Sequence, residues 1–91
     1  MNYSGLLVTS NPQELQATLK ALKKMPNVEI YQVQEEASRC IIVMEGQSVA
    51  DEVDGFKAIS ELPSVVDVSL IVHHFDEEAY IKPMTEMTPL N

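Results

Sequence analysis

Residues 22–28 read Leu-Lys-Lys-Met-Pro-Asn-Val, and residues 59–65, which lie 37 positions further along, read Ile-Ser-Glu-Leu-Pro-Ser-Val. Each stretch has the same order of residues: an apolar residue, a helix-ending proline, a turn-forming residue and a valine. The two candidate helix caps, Asn11 and Ser48, are separated by the same interval. This internal repeat predicts, twice in the chain, a helix that ends at a proline turn and leads into a strand.

The segments around the two repeats complete the pattern of a small α+β domain. Apolar residues at helical spacing precede each proline, at Leu15, Leu19, Leu22 and Met25 and at Val49, Val53, Phe56, Ile59 and Leu62. Segments rich in apolar and β-branched residues predict strands at 3–9, 28–34, 39–45 and 65–75.

The order of these elements, β-α-β-β-α-β, predicts a ferredoxin-like fold. In this fold two helices cover one face of a four-stranded antiparallel sheet, and the other face stays open. We expect one such domain at residues 1–78 and a flexible tail at residues 79–91.

The composition of the chain limits its class and location. Hydrophobic residues make up 45% of the 91 residues, which is enough for a core. The longest apolar run, residues 40–44, is far shorter than the about 20 residues that a membrane-spanning helix needs. The N-terminus has no cationic segment before an apolar one, so no secretory signal is expected. A single cysteine cannot form an internal disulfide, and the sequence therefore predicts a cytoplasmic protein without stable membrane insertion.

The net charge of −8 lies entirely in the second half of the chain. Residues 1–44 hold equal numbers of acidic and basic side chains, while residues 45–91 hold only Lys57 and Lys82 against ten acids. Nucleic acid is disfavoured as a partner because phosphate contacts need clustered Lys and Arg. The acidic half favours a cationic partner, although acidity also keeps a small protein soluble whatever its function.

Alternation along the last two strands predicts which residues occupy the open face, because successive strand residues point to opposite sides. In the fourth strand the residues expected to face the helices are Val66, Val68, Leu70 and Val72, and those expected to face outward are Val65, Asp67, Ser69, Ile71 and His73. In the third strand the expected core residues are Cys40, Ile42 and Met44, and the expected open-face residues are Arg39, Ile41, Val43 and Glu45.

The first strand is ambiguous because Leu6, Leu7 and Val8 are three consecutive aliphatics. The 37-residue repeat pairs Leu7 with Met44 and so favours Leu7 in the core, with Leu6 and Val8 outside. Either assignment leaves at least one bulky aliphatic exposed on the open face. Together with the aliphatics of the third and fourth strands it would form an apolar patch, which suggests a binding surface.

Catalytic and metal chemistry find no support in the sequence. His73 and His74 are neighbours in a strand, so their side chains diverge, and no further ligands lie at a suitable spacing. Cys40 sits in an apolar run, where burial raises the pKa of a thiol and opposes nucleophilic catalysis. The three glycines form no phosphate-binding loop. We therefore expect a protein that is not an enzyme and carries no metal and no cofactor.

Four segments carry a family resemblance: Gly5–Val8, the helix exit Met25–Glu29, Ile41–Glu45 and Val65–His74, of which the last, followed by acids, is the most specific. They resemble the NapD-type chaperones of periplasmic nitrate reductase assembly. The resemblance runs from about Gly5 to Glu78. At Asn27 and Ser64 the chain departs from the glycine that many members have after the proline, although both residues still suit a turn.

The resemblance implies a cytoplasmic chaperone with a ferredoxin-like fold and no catalytic residues. Such proteins bind the twin-arginine signal peptide of the nitrate reductase catalytic subunit. They hold back export until the molybdenum cofactor has been inserted and the subunit has folded. A peptide with paired arginines followed by an apolar stretch suits an apolar patch with an acidic rim.

Strand alternation, combined with this partner, predicts the residues that contact the peptide. They are Leu6, Val8, Ile41, Val43, Glu45, Asp67, Ser69, Ile71 and His73. Glu45 and Asp67 are the expected contacts of the arginines, with the acids at 76–78 behind them.

Two other functions fit the same topology. A small-molecule regulatory domain would usually carry a glycine in the loop after the first strand, and residues 10–13 have none. A dimerisation module would pair two open sheets face to face. We expect a monomer, and its size in solution would separate it from a dimer.

Overall fold

The computed structural model describes residues 2–75, with side chains described as far as Val72. The elements follow one another in the order β1 (Asn2–Ser10), α1 (Leu15–Lys23), β2 (Val28–Gln34), β3 (Arg39–Gly46), α2 (Val49–Ser60) and β4 (Val65–Phe75). A 3₁₀ turn at Glu35–Ala37 joins β2 to β3. The predicted domain boundary at residue 78 and the predicted tail at residues 79–91 lie outside the described residues.

The four strands form one sheet in the order β2-β3-β1-β4. Every pairing is antiparallel, so β1 and β3 are central and β2 and β4 are edges. α1 packs chiefly on β2, and α2 packs on β3 and β4. The predicted ferredoxin-like α+β fold is confirmed.

The two helices begin in different ways. Ser48 caps α2 as predicted, since its Oγ accepts a hydrogen bond of 3.1 Å from the backbone N–H of Asp51. α1 begins only at Leu15, so the prediction that Asn11 caps it is wrong. The side-chain amide of Asn11 instead donates to Glu14 Oε1 at 2.8 Å, and Pro12 lies in a turn before the helix.

Side chains from both helices and the two central strands form the core. Its buried hydrophobic members are Leu6, Val8, Leu15, Leu19, Leu22, Cys40, Ile42, Met44 and Ile59. The core is therefore almost purely aliphatic, as the absence of tryptophan suggests, and its burial supplies the main driving force for folding.

β1 presents Leu6 and Val8 to the core, where both are fully buried, and leaves Leu7 partly exposed on the opposite face. The prediction that Leu6 and Val8 lie on the open face is therefore wrong. Residues directly opposite one another in an antiparallel pair share a face, and Leu6 lies opposite Ile42, a core residue of β3. The repeat relates the two helix-to-strand turns, but it does not extend to β1 and β3, since Met44 faces the core and Leu7, its equivalent in the repeat, faces outward.

The β1–β4 pairing contains two irregularities. The partner of Gly5 is Val72 but the partner of Leu6 is Leu70, so Ile71 is an extra residue. Near the other end Thr9 pairs with Asp67 but Ser10 pairs with Val65, so Val66 is extra as well. An extra residue shifts the alternation of side chains by one position.

These two bulges overturn part of the prediction for β4. Val65 packs against the core, and Val66 is 57% exposed, the reverse of the expectation for both. Val72 lies opposite Gly5 on the open face and not on the helix side. Val68 and Leu70 keep the predicted side, because they lie between the bulges, opposite Val8 and Leu6.

Candidate functional site

The face of the sheet that the helices leave uncovered, hereafter the open face, consists of rows of side chains that lie opposite one another on neighbouring strands. In the order β2, β3, β1, β4 the rows are Gln34, Arg39, Thr9 and Asp67; Gln32, Ile41, Leu7 and Ser69; and Glu29, Val43, Gly5 and Val72. The next row holds Glu45 of β3, Tyr3 of β1 and His74 of β4. The aliphatic side chains lie in the second and third rows. Charged side chains occupy the first and last rows and, at Glu29, the β2 edge of the third.

The middle of the open face, hereafter the apolar centre, is formed by Leu7, Ile41, Val43 and Val72. Leu7 lies directly opposite Ile41, and Gly5 separates Val43 from Val72. All four side chains are partly buried by their neighbours and still reach solvent. Because the helices cover only the other face, these aliphatics are open to a partner.

Gly5 allows the apolar centre to pack closely. A Cβ atom at this position would come within 2.8 Å of Val72 Cγ1, a distance that real Cβ contacts essentially never show. Any other residue would therefore push Val72 aside. The glycine therefore lets the side chain of Val72 lie against the backbone of β1.

The two ends of the open face differ in charge. At one end Glu29 and Glu45 lie on neighbouring rows, and Glu29 is exposed. At the other end Asp67 shares its row with Arg39, so the acid has a cation on the same row. Asp67 Oδ2 also accepts a hydrogen bond of 3.1 Å from Ser69 Oγ, and Arg39 Nε donates to Gln34 Oε1 at 2.5 Å.

The backbone at Glu45 is held by the turn that precedes β2. The side-chain amide of Asn27 donates to the carbonyl of Glu45 at 3.0 Å, and the N–H of Glu45 donates to the carbonyl of Asn27 at 2.9 Å. These two bonds tie the end of β3 to the start of β2, so the backbone beneath Glu29 and Glu45 is fixed.

The structure brings together five of the nine residues predicted to contact a peptide. Those on the open face are Ile41, Val43, Glu45, Asp67 and Ser69. Leu6 and Val8 lie in the core, and Ile71 is the extra residue of a bulge without a direct partner in β1. His73 pairs with Ser4 in the sheet, and its side chain lies outside the described part of the structure.

Among the residues of the open face that sequence reasoning missed, Gly5, Leu7 and Val72 belong to its middle and Glu29 to its acidic end. Leu7 and Val72 were assigned to the core because neither the phase of β1 nor the bulge at Ile71 is visible in the sequence. Glu29 could have been found, since Val28 and Ile30 on either side of it are both apolar. That alternation predicts an outward Glu29.

A second concave surface lies on the helix side of the sheet, between α2 and β4. This α2 groove encloses about 400 Å³ and is lined by Ser4, Leu6, Met44, Val49, Glu52, Val53, Phe56 and Leu70. Val53 and Leu70 are each 57% exposed. The carboxylate of Glu52 is buried at its floor and accepts a hydrogen bond of 3.0 Å from Ser4 Oγ. The groove is thus a second, largely apolar surface on the opposite side of the sheet.

The environment of Cys40 and the spacing of possible metal ligands can be examined in the described residues. Burial raises the pKa of the Cys40 thiol to about 11, so the reactive thiolate is disfavoured at neutral pH. Among the side chains that the structure describes, which end at Val72, no three His, Cys, Asp or Glu converge on a possible ion. No helix within residues 2–75 is long and apolar enough to cross a membrane.

Two solved structures share this fold. The solution structure of the E. coli Tat proofreading chaperone NapD matches with a TM-score of 0.73 at 18% identity, covering 89% of this chain and 85% of that one. The crystal structure of a protein from Thermus thermophilus matches with a TM-score of 0.71 at 21% identity, covering 90% of this chain and 100% of that one. At these identities the likeness shows the fold.

Two sequence comparisons agree on the family. A protein named Chaperone NapD from Haemophilus influenzae is 28% identical over 74 residues, which are 81% of this chain and 80% of that protein. A family model described as NapD protein matches residues 1–77, well over half of the chain. The chain therefore belongs to the NapD family.

Proposed function

We propose that this protein is a cytoplasmic chaperone that binds the twin-arginine signal peptide of the periplasmic nitrate reductase catalytic subunit. By holding the peptide it delays export until the molybdenum cofactor is inserted and the subunit has folded. Membership of the NapD family supports this function, as does the name of the Haemophilus influenzae relative. The proposal includes no catalytic step.

The observation that carries the proposal is the apolar centre with carboxylates at its margins. A peptide helix is about 10–12 Å across, and neighbouring strands are about 4.8 Å apart. Such a helix therefore covers two or three strands, and the central pair, β1 and β3, supplies Leu7, Ile41 and Val43. An apolar helical face would bury these aliphatics, while cationic side chains beside it would reach the acids.

A pair of matched variants tests where the peptide binds. Val43→Thr keeps the shape and strand propensity of valine but replaces one methyl of the apolar centre by a hydroxyl. We expect peptide affinity to fall about 3- to 10-fold, because each buried methyl is worth about 0.8 kcal/mol and the hydroxyl adds a desolvation cost. Calorimetry with a synthetic twin-arginine signal peptide measures the change, and circular dichroism checks the fold.

The control is Val53→Thr, the same substitution in the α2 groove, where Val53 is 57% exposed. It should leave the affinity unchanged. The opposite result, a loss at Val53 and none at Val43, would move the site from the open face to the groove. A wild-type protein that does not bind the peptide at all would overturn the proposed function.

Sheet-to-sheet dimerisation is a second candidate, because the apolar centre that suits a peptide also suits another copy of itself. Sedimentation over a range of protein concentrations distinguishes the two functions. A dimer that dissociates in the Val43→Thr variant, combined with no peptide binding, would favour the dimer. A monomer at all concentrations would favour the chaperone.

A further inference from the structure

We propose that the signal peptide lies on the open face in one direction only. Its paired arginines contact Glu29 and Glu45, and the apolar stretch that follows them crosses the apolar centre toward Thr9 and Asp67. This orientation rests on the proposed function and assigns a specificity role to Glu29.

The two ends of the open face are too far apart for the acids at both ends to contact the same pair of arginines. Glu45 lies opposite Tyr3, and Asp67 lies opposite Thr9, six residues further along β1. At about 3.3 Å per strand residue, these rows are about 20 Å apart. Two consecutive arginines start from Cα atoms only about 3.8 Å apart. One arginine pair therefore contacts one end of the open face. The expectation that both Glu45 and Asp67 contact the arginines does not fit this distance.

The distribution of charge favours the end with Glu29 and Glu45 as the binding site of the arginines. Glu29 lies opposite Val43, which is two residues from Glu45 on β3, so the carboxylates project from the same face about 7 Å apart along the strand. Two carboxylates at this spacing can each accept charge-assisted hydrogen bonds from one guanidinium. The bonds between Asn27 and the backbone of Glu45 fix the two strands in this position.

The opposite end is a poor match for arginines. Arg39 stands on the same row as Asp67, with Thr9 of β1 between them, so the formal charges of that row sum to zero and a guanidinium that approaches this end meets a like charge. Asp67 also accepts a hydrogen bond from Ser69. With the arginines at the Glu45 end, the rest of the peptide can leave over this neutral end after passing the apolar centre.

A substitution cycle between protein and peptide tests the contact. The probes are a synthetic twin-arginine signal peptide and the same peptide with both arginines replaced by glutamine. Wild type should prefer the arginine peptide by about 10-fold or more, as expected for charge-assisted hydrogen bonds. Glu29→Gln combined with Glu45→Gln should remove this preference and leave the glutamine peptide's affinity unchanged. Asp67→Asn, the matched control, should retain the preference.

The direction is tested with a nitroxide label at the C-terminal end of the same peptide. The label should broaden the backbone amide signals of Thr9 and Arg39 more than those of Tyr3 and Glu45. The reverse pattern of broadening would overturn the orientation, as would a preference for arginine lost only in Asp67→Asn. Either of these results leaves the proposed function standing, because the peptide still binds. Absence of binding by wild type overturns the function and the orientation together.

Discussion

At the scale of single residues, Cys40 shows how burial controls reactivity. Its side chain is fully buried, and its pKa is raised from 9.0 to about 11. Between these two values the unfolded chain has lost the thiol proton and the folded chain retains it. The free energy of unfolding therefore falls as the pH rises from about 9 toward 11, and the full contribution of Cys40 is present below about pH 9.

The same burial predicts a slow reaction with alkylating reagents. At about pH 8 we expect iodoacetamide to modify Cys40 far more slowly in the folded protein than in the chain unfolded by urea. In the folded protein the reagent cannot reach the sulfur, and the thiol stays protonated. Mass spectrometry after timed quenching measures the two rates. Equal rates would mean that Cys40 is exposed in solution.

At the scale of elements, three buried hydroxyls connect the end of β1, the middle of α1 and the start of β4. Thr18 Oγ1 donates to Ser10 Oγ at 3.0 Å and lies 2.6 Å from Ser64 Oγ. Thr18→Val keeps the shape but leaves the two serine hydroxyls without this partner. We expect a loss of about 1–3 kcal/mol in the free energy of unfolding, measured by urea denaturation. Thr9→Val, on the open face, is the control and should cost less; an equal cost would show that the buried cluster adds nothing.

At the scale of the whole molecule, the net charge of −8 should make peptide binding depend on salt. Both the local carboxylates and the overall field attract a cationic peptide, and added ions screen both. The affinity should fall as salt rises from about 0.05 to 0.5 M, because the Debye length shortens from more than about 10 Å to less than about 5 Å. In the double variant Glu29→Gln and Glu45→Gln, the affinity measured by calorimetry should change less with salt concentration. An affinity that does not change with salt would show that the acids make no contact with the arginines.

Most of the architecture could be predicted from local patterns. The bounds of β2 and β4 agree with prediction at both ends, and α2 begins after its predicted cap, Ser48. In β3 the alternation from Arg39 to Glu45 is regular, and the faces of all seven residues are as predicted. These features are readable because helical and strand periodicity depend on neighbours in the chain.

The residues of the open face were predicted correctly only where alternation within a single strand was enough to assign them. Leu6, Leu7 and Val8 offer no alternation, so only their pairing with Ile42, Ile41 and Cys40 decides which of them is buried. The extra residues Val66 and Ile71 are ordinary β-branched strand residues, and they become bulges only because β1 fixes their neighbours in register. The apolar centre therefore contains Leu7 and Val72, where Leu6, Val8 and Ile71 were predicted.

The order of the elements, the core stripes of the helices and the uneven distribution of charge were already determined by the amino-acid sequence, because each arises from residues close together along the chain. Tertiary structure alone decided that Leu7 and Val72 join Ile41 and Val43, and that Glu29 lies near Glu45. It also placed Asp67 on the same row as Arg39, with Thr9 between them. These residues come from four strands, and their positions relative to one another are set by hydrogen-bonded register, in which a shift of one residue exchanges the two faces.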